Sequence, residues 1–173
     1  MQTSNIFEVR VAKDTFKFSA AHFVAYRGYR ERLHGHNYTV SVRLLGSNHI
    51  CHDGYVLDFG CVKKVTRQIC KEINEHFLCP MLSDVLHIEV QSKSNGDNDV
   101  EKREGNVMIT CEDGAVFMFP EGDCVMLPIV HATAEELAIY LWGRILQGLD
   151  AALLLRRGIH TLEVRYGEIL IRS

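Results

Sequence analysis

The chain has 173 residues, 47% of them hydrophobic, and a formal net charge of −3 at pH 7. This length and apolar content suffice for one buried core and predict a single domain over residues 1–173. The mixed charges exclude the broad basic surface of a general nucleic-acid-binding protein, and no apolar run is long enough for a membrane helix. Because the N-terminal residues also lack the pattern of a secretory leader, we expect a cytoplasmic protein with no nucleic-acid or membrane partner.

The cysteines give no sign of a disulfide framework. They are widely spaced and form no Cys-x-x-Cys pair: Cys51, Cys61, Cys70, Cys79, Cys111 and Cys124. Disulfide-rich secreted domains and zinc ribbons both use closely spaced cysteines, so the sequence predicts free thiols in a reducing compartment.

The first half of the chain predicts strands followed by a helix. Apolar and polar residues alternate over residues 6–20, as one long strand or two short ones, and again from Tyr38 to Leu44. After an Asp-Gly turn, Asp58 is a candidate N-cap for a helix. The apolar residues of this helix follow helical spacing: Phe59, Val62, Val65, Ile69 and Ile73.

The second half predicts a hairpin, a second helix and a final strand. Residues 85–90 read as a strand, and 112–115 read as the tight turn of a hairpin. Thr133 and Glu136 form a capping box for the second helix. Its predicted inward residues are Leu137, Tyr140, Leu141, Ile145 and Leu149. Alternation returns over 161–166.

This order of elements predicts an α+β fold. Two helices that each have one apolar stripe can both pack on one face of an antiparallel sheet. The other face of the sheet then needs cover, which copies of the same chain can provide. We therefore expect a homo-oligomer.

Three histidines are candidate metal ligands. His34 and His36 are two apart at the start of a predicted strand, so their side chains point the same way. His22 ends the preceding strand region, where a neighbouring strand would lie beside them. Three imidazoles on Zn²⁺ leave a fourth position open, which is typical of a catalytic site. The alternative is that these histidines only form hydrogen bonds at the surface.

Several strings of residues resemble one enzyme family. They are Phe18-Ser19-Ala20-Ala21-His22, Leu33-His34-Gly35-His36-Asn37-Tyr38, Gly54-Tyr55-Val56-Leu57-Asp58-Phe59, Thr133-Ala134-Glu135-Glu136 and a glutamate near the end of the chain. Together they are similar to the 6-pyruvoyl-tetrahydropterin synthase and 6-carboxytetrahydropterin synthase family, over nearly the whole chain. The His-Gly-His-Asn-Tyr string with an upstream Ala-His is the most specific part.

The resemblance implies a T-fold and a zinc-dependent lyase. In that fold two helices pack on one face of an antiparallel sheet, trimers close the sheets into a barrel, and two trimers stack as a hexamer. The implied cofactor is Zn²⁺ on His22, His34 and His36. The implied substrate is 7,8-dihydroneopterin triphosphate, bound in a pocket between subunits, in a pathway leading to tetrahydrobiopterin or folate.

The resemblance also suggests the catalytic base. Most of the family uses a cysteine six residues before the first histidine of the His-Gly-His string, and here that position is Gly28, with no cysteine between Met1 and Ile50. The segment instead resembles type III variants, in which a nearby glutamate replaces the cysteine and the product is 6-hydroxymethyl-7,8-dihydropterin. Glu31 is the candidate base. Read alone, Glu31 would be a surface residue paired with a neighbouring arginine.

The family pattern further implies three contacts to the pterin. Glu168 matches the glutamate that anchors the ring, where one carboxylate accepts two parallel N–H bonds. Thr133 falls at a pterin-contact position and is also a helix cap. Glu135 is a further candidate.

One departure from the family pattern leaves other functions open. The family has an Asp-His pair where this chain has Asn74-Glu75. Either a shifted Glu75-His76 pair replaces it, with His76 as the candidate second catalytic group, or the relay is lost. The alternatives to the hydroxymethyl-forming, aldolase-like reaction are pyruvoyl- or carboxy-tetrahydropterin synthesis with another base, and an inactive zinc- and pterin-binding protein. The enzyme class expected is a carbon–oxygen lyase acting on phosphates or an aldolase-like pterin lyase.

Overall fold

The computed structural model describes residues 6–48, 50–91, 105–167 and 169–172, and these residues form a mixed α+β fold. The strands are β1 (Ile6–His22), β2 (Ala25–Tyr26), β3 (Tyr29–Arg30), β4 (His34–Ser47), β5 (His76–Pro80), β6 (Leu86–Gln91), β7 (Asn106–Cys111), β8 (Val116–Pro120), β9 (Cys124–Leu127), β10 (Ile159–Tyr166) and β11 (Ile169–Arg172). The helices are α1 (Phe59–Ile73), α2 (Ala134–Leu149) and α3 (Ala151–Arg156). Within the described ranges, no helix has the length and hydropathy needed to cross a bilayer.

Residue contacts divide the chain into two compact units, each built from separate segments. The first unit contains the described parts of residues 1–18, 37–74 and 134–173. The second unit contains those of residues 19–36 and 75–133. Strands β1 and β4 pass through both units, and the second unit holds all the predicted metal ligands and the predicted base.

The first unit is an antiparallel sheet with helices. β10 pairs antiparallel with β4, from Ile159 opposite Gly46 to Tyr166 opposite Val40, and also with β11, while β1 lies on the other side of β4. α2 contacts β10, β11 and both other helices of this unit. The antiparallel sheet and the helices α1 and α2 were predicted. Helix α3 was not predicted, because its six residues are too few to show a helical period.

Helix ends agree with the sequence prediction better than helix faces do. The Asp58 carboxylate accepts a hydrogen bond from the Gly60 amide at 2.7 Å, which confirms the predicted N-cap of α1. α2 begins at Ala134, directly after the predicted cap. The inward face of α1 differs from the prediction, since Phe59 is exposed and Thr66 is buried instead. Phe59 is the first residue of α1, and the buried residues of this helix begin at Val62.

The second unit contains parallel strand pairs, which the expected antiparallel sheet did not include. β5 runs parallel to the end of β1, with His76 beside Ala20, and also parallel to β9. Neither β5 nor β9 was predicted from the sequence, because their residues do not alternate between buried and exposed. A separate antiparallel sheet has the order β6-β7-β8, and the 112–115 turn joins β7 to β8 as predicted. The buried core of this unit is formed by Phe23, Ala25, Phe77, Cys79, Val85, Leu86, Val107, Ile109 and Cys111.

Candidate active site

The structure brings the three candidate histidines together in the second unit. His22 is the last residue of β1, and His34 and His36 lie at the start of β4. The ring centroid of His22 is 4.6 Å from that of His34 and 5.3 Å from that of His36. One ligand atom from each of the three lies within 4.8 Å of the others, so the group could hold a metal ion.

Gly35 allows the two strands to approach closely at this point. A Cβ atom placed on Gly35 would lie 3.1 Å from the backbone oxygen of Ala20, tighter than most real Cβ contacts. A larger residue would therefore push β4 away from β1 and separate His34 and His36 from His22. The sequence showed this glycine inside the motif but not the strand that it touches.

Backbone carbonyls set the tautomers of two of the three rings. His22 Nδ1 donates to the oxygen of Ala132 at 2.8 Å, and His34 Nδ1 donates to the oxygen of Arg32 at 2.7 Å. Because a carbonyl only accepts, the proton of each neutral ring is on Nδ1, which leaves Nε2 as the nitrogen that can bind a metal. Histidines that bind zinc commonly donate their other nitrogen in this way.

Burial keeps His22 in the form that a metal needs. The side chain is buried, and this desolvation lowers the pKa of His22, with the nearby His34 and His36 acting in the same direction. The Ala132 carbonyl and the negative charge of Glu31 oppose the shift. A neutral imidazole is the metal-binding form, so the donor set and its surroundings fit a zinc ion.

Glu31 follows β3 and is held by its own hairpin. Its amide donates to the oxygen of Val24 at 2.9 Å, and the amide of Val24 donates to Glu31 Oε2 at 3.0 Å. The side chain is half-buried, and its charge acts on the pKa of His22. The arginine side chain of Arg30 pairs with Asp113 instead of with the Glu31 carboxylate. The simple reading of Glu31 as the ion-pair partner of Arg30 is therefore wrong.

Gly28, where the family pattern has a cysteine, lies in the turn of this hairpin. Tyr26 pairs with Tyr29, so Arg27 and Gly28 are the two turn residues. Gly28 has a φ of +79°, a conformation that favours glycine over residues with a side chain. The glutamate is thus at the base of the hairpin and the cysteine position is at its tip.

His76 begins β5 and lies beside Ala20 in the parallel register. Paired residues share a face of the sheet, as do residues two apart, so His76 is on the same face as His22. The spacing between them is about two residues, roughly 6–7 Å along the strand. Before it, Glu75 has a φ of +62°, and its amide donates to the oxygen of Ser19 at 2.6 Å.

The predicted pterin contacts have different positions. Thr133 is half-buried and directly follows Ala132, the residue whose carbonyl binds His22. Glu135 is exposed in the first turn of α2 and belongs to the first unit. Glu168 lies outside the described residues.

Comparison with known proteins gives a consistent result. The family model of 6-pyruvoyl tetrahydropterin synthase matches residues 11–168. A curated protein from Methanocaldococcus jannaschii, provisionally assigned as a 6-carboxy-5,6,7,8-tetrahydropterin synthase, is 29% identical over 129 residues, which are 75% of this chain and 71% of that protein.

Solved structures of two Plasmodium enzymes are more similar. The 6-pyruvoyltetrahydropterin synthase of Plasmodium vivax is 38% identical, with a TM-score of 0.83 and 98% of each chain covered. That of Plasmodium falciparum is 36% identical, with a TM-score of 0.84 and 99% of each chain covered. Two further P. vivax structures are of variants in which a catalytic glutamate is replaced by alanine or by cysteine.

Proposed function

This chain belongs to the 6-pyruvoyl tetrahydropterin synthase family, and we propose that it is a zinc-dependent pterin lyase with His22, His34 and His36 as the metal ligands. The observation that carries the proposal is the histidine cluster itself. Two of its rings have their Nδ1 protons bound to carbonyls, which leaves Nε2 for a metal. Three imidazoles leave room for a further ligand, as a catalytic zinc site requires.

The proposed substrate is 7,8-dihydroneopterin triphosphate and the proposed product is 6-hydroxymethyl-7,8-dihydropterin. Two observations support this choice over pyruvoyl formation. No cysteine lies between Met1 and Ile50, so the usual base is missing, whereas Glu31 is held near the histidines. In addition, the P. vivax enzyme, which is similar along nearly its full length, has a catalytic glutamate.

In this proposal Glu31 takes the proton from the hydroxyl on the second carbon of the substrate's side chain, and the bond between the first and second carbons breaks. The triphosphate-bearing fragment leaves as an aldehyde, and the first carbon keeps its hydroxyl and takes up a proton. Oε2 accepts from the Val24 amide, which fixes the carboxylate and leaves Oε1 to receive the proton. A zinc ion bound by the histidines would lower the pKa of that hydroxyl. The proposed pterin contacts are Thr133, Glu135 and Glu168, the last as the ring's anchor.

A second candidate function is 6-carboxy- or 6-pyruvoyl-tetrahydropterin synthesis. The similarity to the M. jannaschii protein favours it, and so does the position of His76 on the same face as His22. In this alternative His76 would be the second acid–base group. The product distinguishes the two functions, because a pyruvoyl pterin retains side-chain carbons that the hydroxymethyl product has lost, and a carboxy pterin has a carboxyl group where the hydroxymethyl product has a CH2OH group.

We also propose that the chain works as a trimer or hexamer whose sheets close into a barrel. Among the residues that the structure describes, β11 of the first unit is an edge strand whose one partner is β10, and sheet edges commonly pair with another copy of the chain. The face of that sheet away from the core is polar, with exposed Arg10 and Arg165. Light scattering coupled to size-exclusion chromatography tests the assembly, and a monomer at working concentration would contradict it.

The test of function is a product assay. Zinc-loaded protein is incubated with 7,8-dihydroneopterin triphosphate, and the pterins are identified by chromatography and mass spectrometry. Glu31→Gln is assayed alongside, since glutamine can still accept from the Val24 amide but cannot act as a base at neutral pH. Glu72→Gln, on the surface of α1, is the matched control. Hydroxymethyl product from wild type and control but not from Glu31→Gln is the expected result.

Other outcomes contradict the proposal in distinct ways. A pyruvoyl or carboxy pterin from the wild type would support the second function. Undiminished hydroxymethyl product from Glu31→Gln would exclude Glu31 as the base. Stoichiometric zinc and pterin binding without any product would indicate a binding protein that has lost catalysis.

A further inference from the structure

The hairpin that leads into Glu31 is attached to the turn between β7 and β8. Arg30 donates from Nε to Asp113 Oδ2 at 2.8 Å, and its Nη2 lies 2.8 Å from the same oxygen. The amide of Gly28 donates to Glu112 Oε2 at 3.0 Å. These contacts join residues more than eighty positions apart within the second unit. We call the Arg30–Asp113 ion pair the hairpin tether.

The tether reaches the backbone of Glu31. Arg30 Nη1 donates to the backbone oxygen of Glu31 at 3.0 Å, so the same guanidinium binds both Asp113 and Glu31. It also lies over the ring of Phe117, 5.4 Å from the centroid. Asp113 is fixed in turn, because its Oδ1 accepts from the Ala115 amide at 3.1 Å.

The hairpin needs such support. β2 and β3 have only two residues each, and an isolated two-stranded hairpin is marginally stable in water. The Glu31 carboxylate is bound to Val24 at the base of that same hairpin. Any movement of the hairpin therefore moves the carboxylate with it.

We propose that Arg30 and Asp113 are positioning residues that hold the Glu31 carboxylate in its catalytic place. The inference rests on the proposed function, because it takes Glu31 as the base. All three nitrogens of the Arg30 guanidinium have a protein partner, and its side chain is 21% exposed. These contacts favour a positioning role over direct binding of the substrate's phosphates.

Two variants remove the tether and retain the packing around it. In Asp113→Asn, the amide oxygen can still accept from the Ala115 amide while the charge is lost. In Arg30→Met, the apolar stem still covers Phe117 but the guanidinium is gone. The double variant completes a mutant cycle.

A second arginine pair in the first unit is the matched control. Arg144 Nη2 lies 2.6 Å from Glu72 Oε2, and the guanidinium lies 5.6 Å from the ring centroid of Tyr140. Glu72→Gln and Arg144→Met thus remove an ion pair of the same chemistry and ring contact. Every variant is assayed as the zinc-loaded full chain for kcat, KM and zinc content.

We expect each tether variant to lower kcat about 10- to 100-fold, since a base displaced by about 1 Å can cost that much. KM and zinc content should stay within about twofold of wild type, and unchanged zinc content also reports a folded site. The double variant should be no slower than the worse single variant, because the two residues act as a unit. The control variants should retain wild-type kcat.

Several results would overturn the proposal. A raised KM with unchanged kcat would make Arg30 a substrate-binding residue, and additive losses in the double variant would mean that the two residues act separately. Wild-type kcat in both single variants would remove the positioning role. Failure of the proposed function is seen separately, because the wild type itself would then form no hydroxymethyl product.

Discussion

The histidine cluster and the Glu31 hairpin belong to the same unit of the molecule but are held in different ways. The cluster lies on two long strands, with His22 buried and bound to a carbonyl. Glu31 follows a hairpin of two-residue strands, and its place depends on the Val24 backbone and on a partly exposed ion pair. The proposed metal binding therefore depends on the sheet, whereas the proposed proton transfer depends on a few polar contacts.

Because they are held differently, the two proposed parts of the site should be separable by mutation. Long strands with a buried core resist local change, while short surface hairpins open at low free-energy cost. Variants at the cluster should abolish both zinc binding and turnover. Variants at the hairpin should reduce turnover and leave zinc in place.

The largest effect is expected from loss of a histidine. His22→Ala should weaken zinc binding by more than about 100-fold, because loss of an outer-shell partner alone costs 10- to 100-fold and a ligand contributes more. Turnover should be lost with the metal. Competitive titration with a chromophoric chelator measures the affinity.

The control for this loss is His87→Ala. His87 is exposed on β6 and pairs with Glu89, so its removal should leave zinc affinity unchanged. Equal zinc affinity in His22→Ala and wild type would mean that the cluster is not the metal site.

The next effect should separate the two regions. Glu31→Gln should lower kcat about 100- to 10,000-fold, the usual contribution of a general base, while zinc affinity stays within about twofold of wild type. Zinc titration and steady-state kinetics on the same preparation measure both quantities. A parallel loss of zinc and activity would show that the hairpin also supports the proposed metal site.

A smaller effect is expected where the cluster depends on strand spacing. Gly35→Ala places a Cβ 3.1 Å from the oxygen of Ala20 and should move β4 relative to β1. Zinc affinity should fall roughly 10-fold, in the range seen when the supports of metal ligands are disturbed. Gly143→Ala in α2 is the control, since a Cβ there meets nothing within 4 Å. Wild-type zinc affinity in Gly35→Ala would mean that the strands adjust without cost.

The sequence predicted the cluster because its signal is local. His34 and His36 share a side of their strand by the period of two, and the surrounding motif identified His22 as the third candidate. The supports of the cluster were not predicted. The partner of His22 is the carbonyl of Ala132, 110 positions away, and every residue has a carbonyl, so no side chain marks it.

The same limit applies to the hairpin. The turn at 112–115 was predicted from its residues, and Glu31 from the motif, but nothing in either segment says that they meet. Ion pairs between distant segments depend on how strands are ordered in space. The parallel pairing of β5 was missed because this strand was not predicted at all, since its buried residues follow one another without alternation.

The smallest effect concerns the low pH at which Asp113 becomes protonated and the hairpin tether is lost. Arg30 holds the pKa of Asp113 below its ordinary value of 3.8, first by its hydrogen bond, and the Ala115 amide adds to this. Because the folded-state pKa is lowered, the stabilisation from the tether is complete above the unfolded value and is lost as the pH falls through the lowered one. Carboxyl carbon shifts followed by NMR should give a pKa below 3.8 in wild type and a higher one in Arg30→Met. Equal pKa values in the two proteins would mean that the ion pair does not persist in solution, and the hairpin would then have to be held by the Gly28 and Val24 contacts alone.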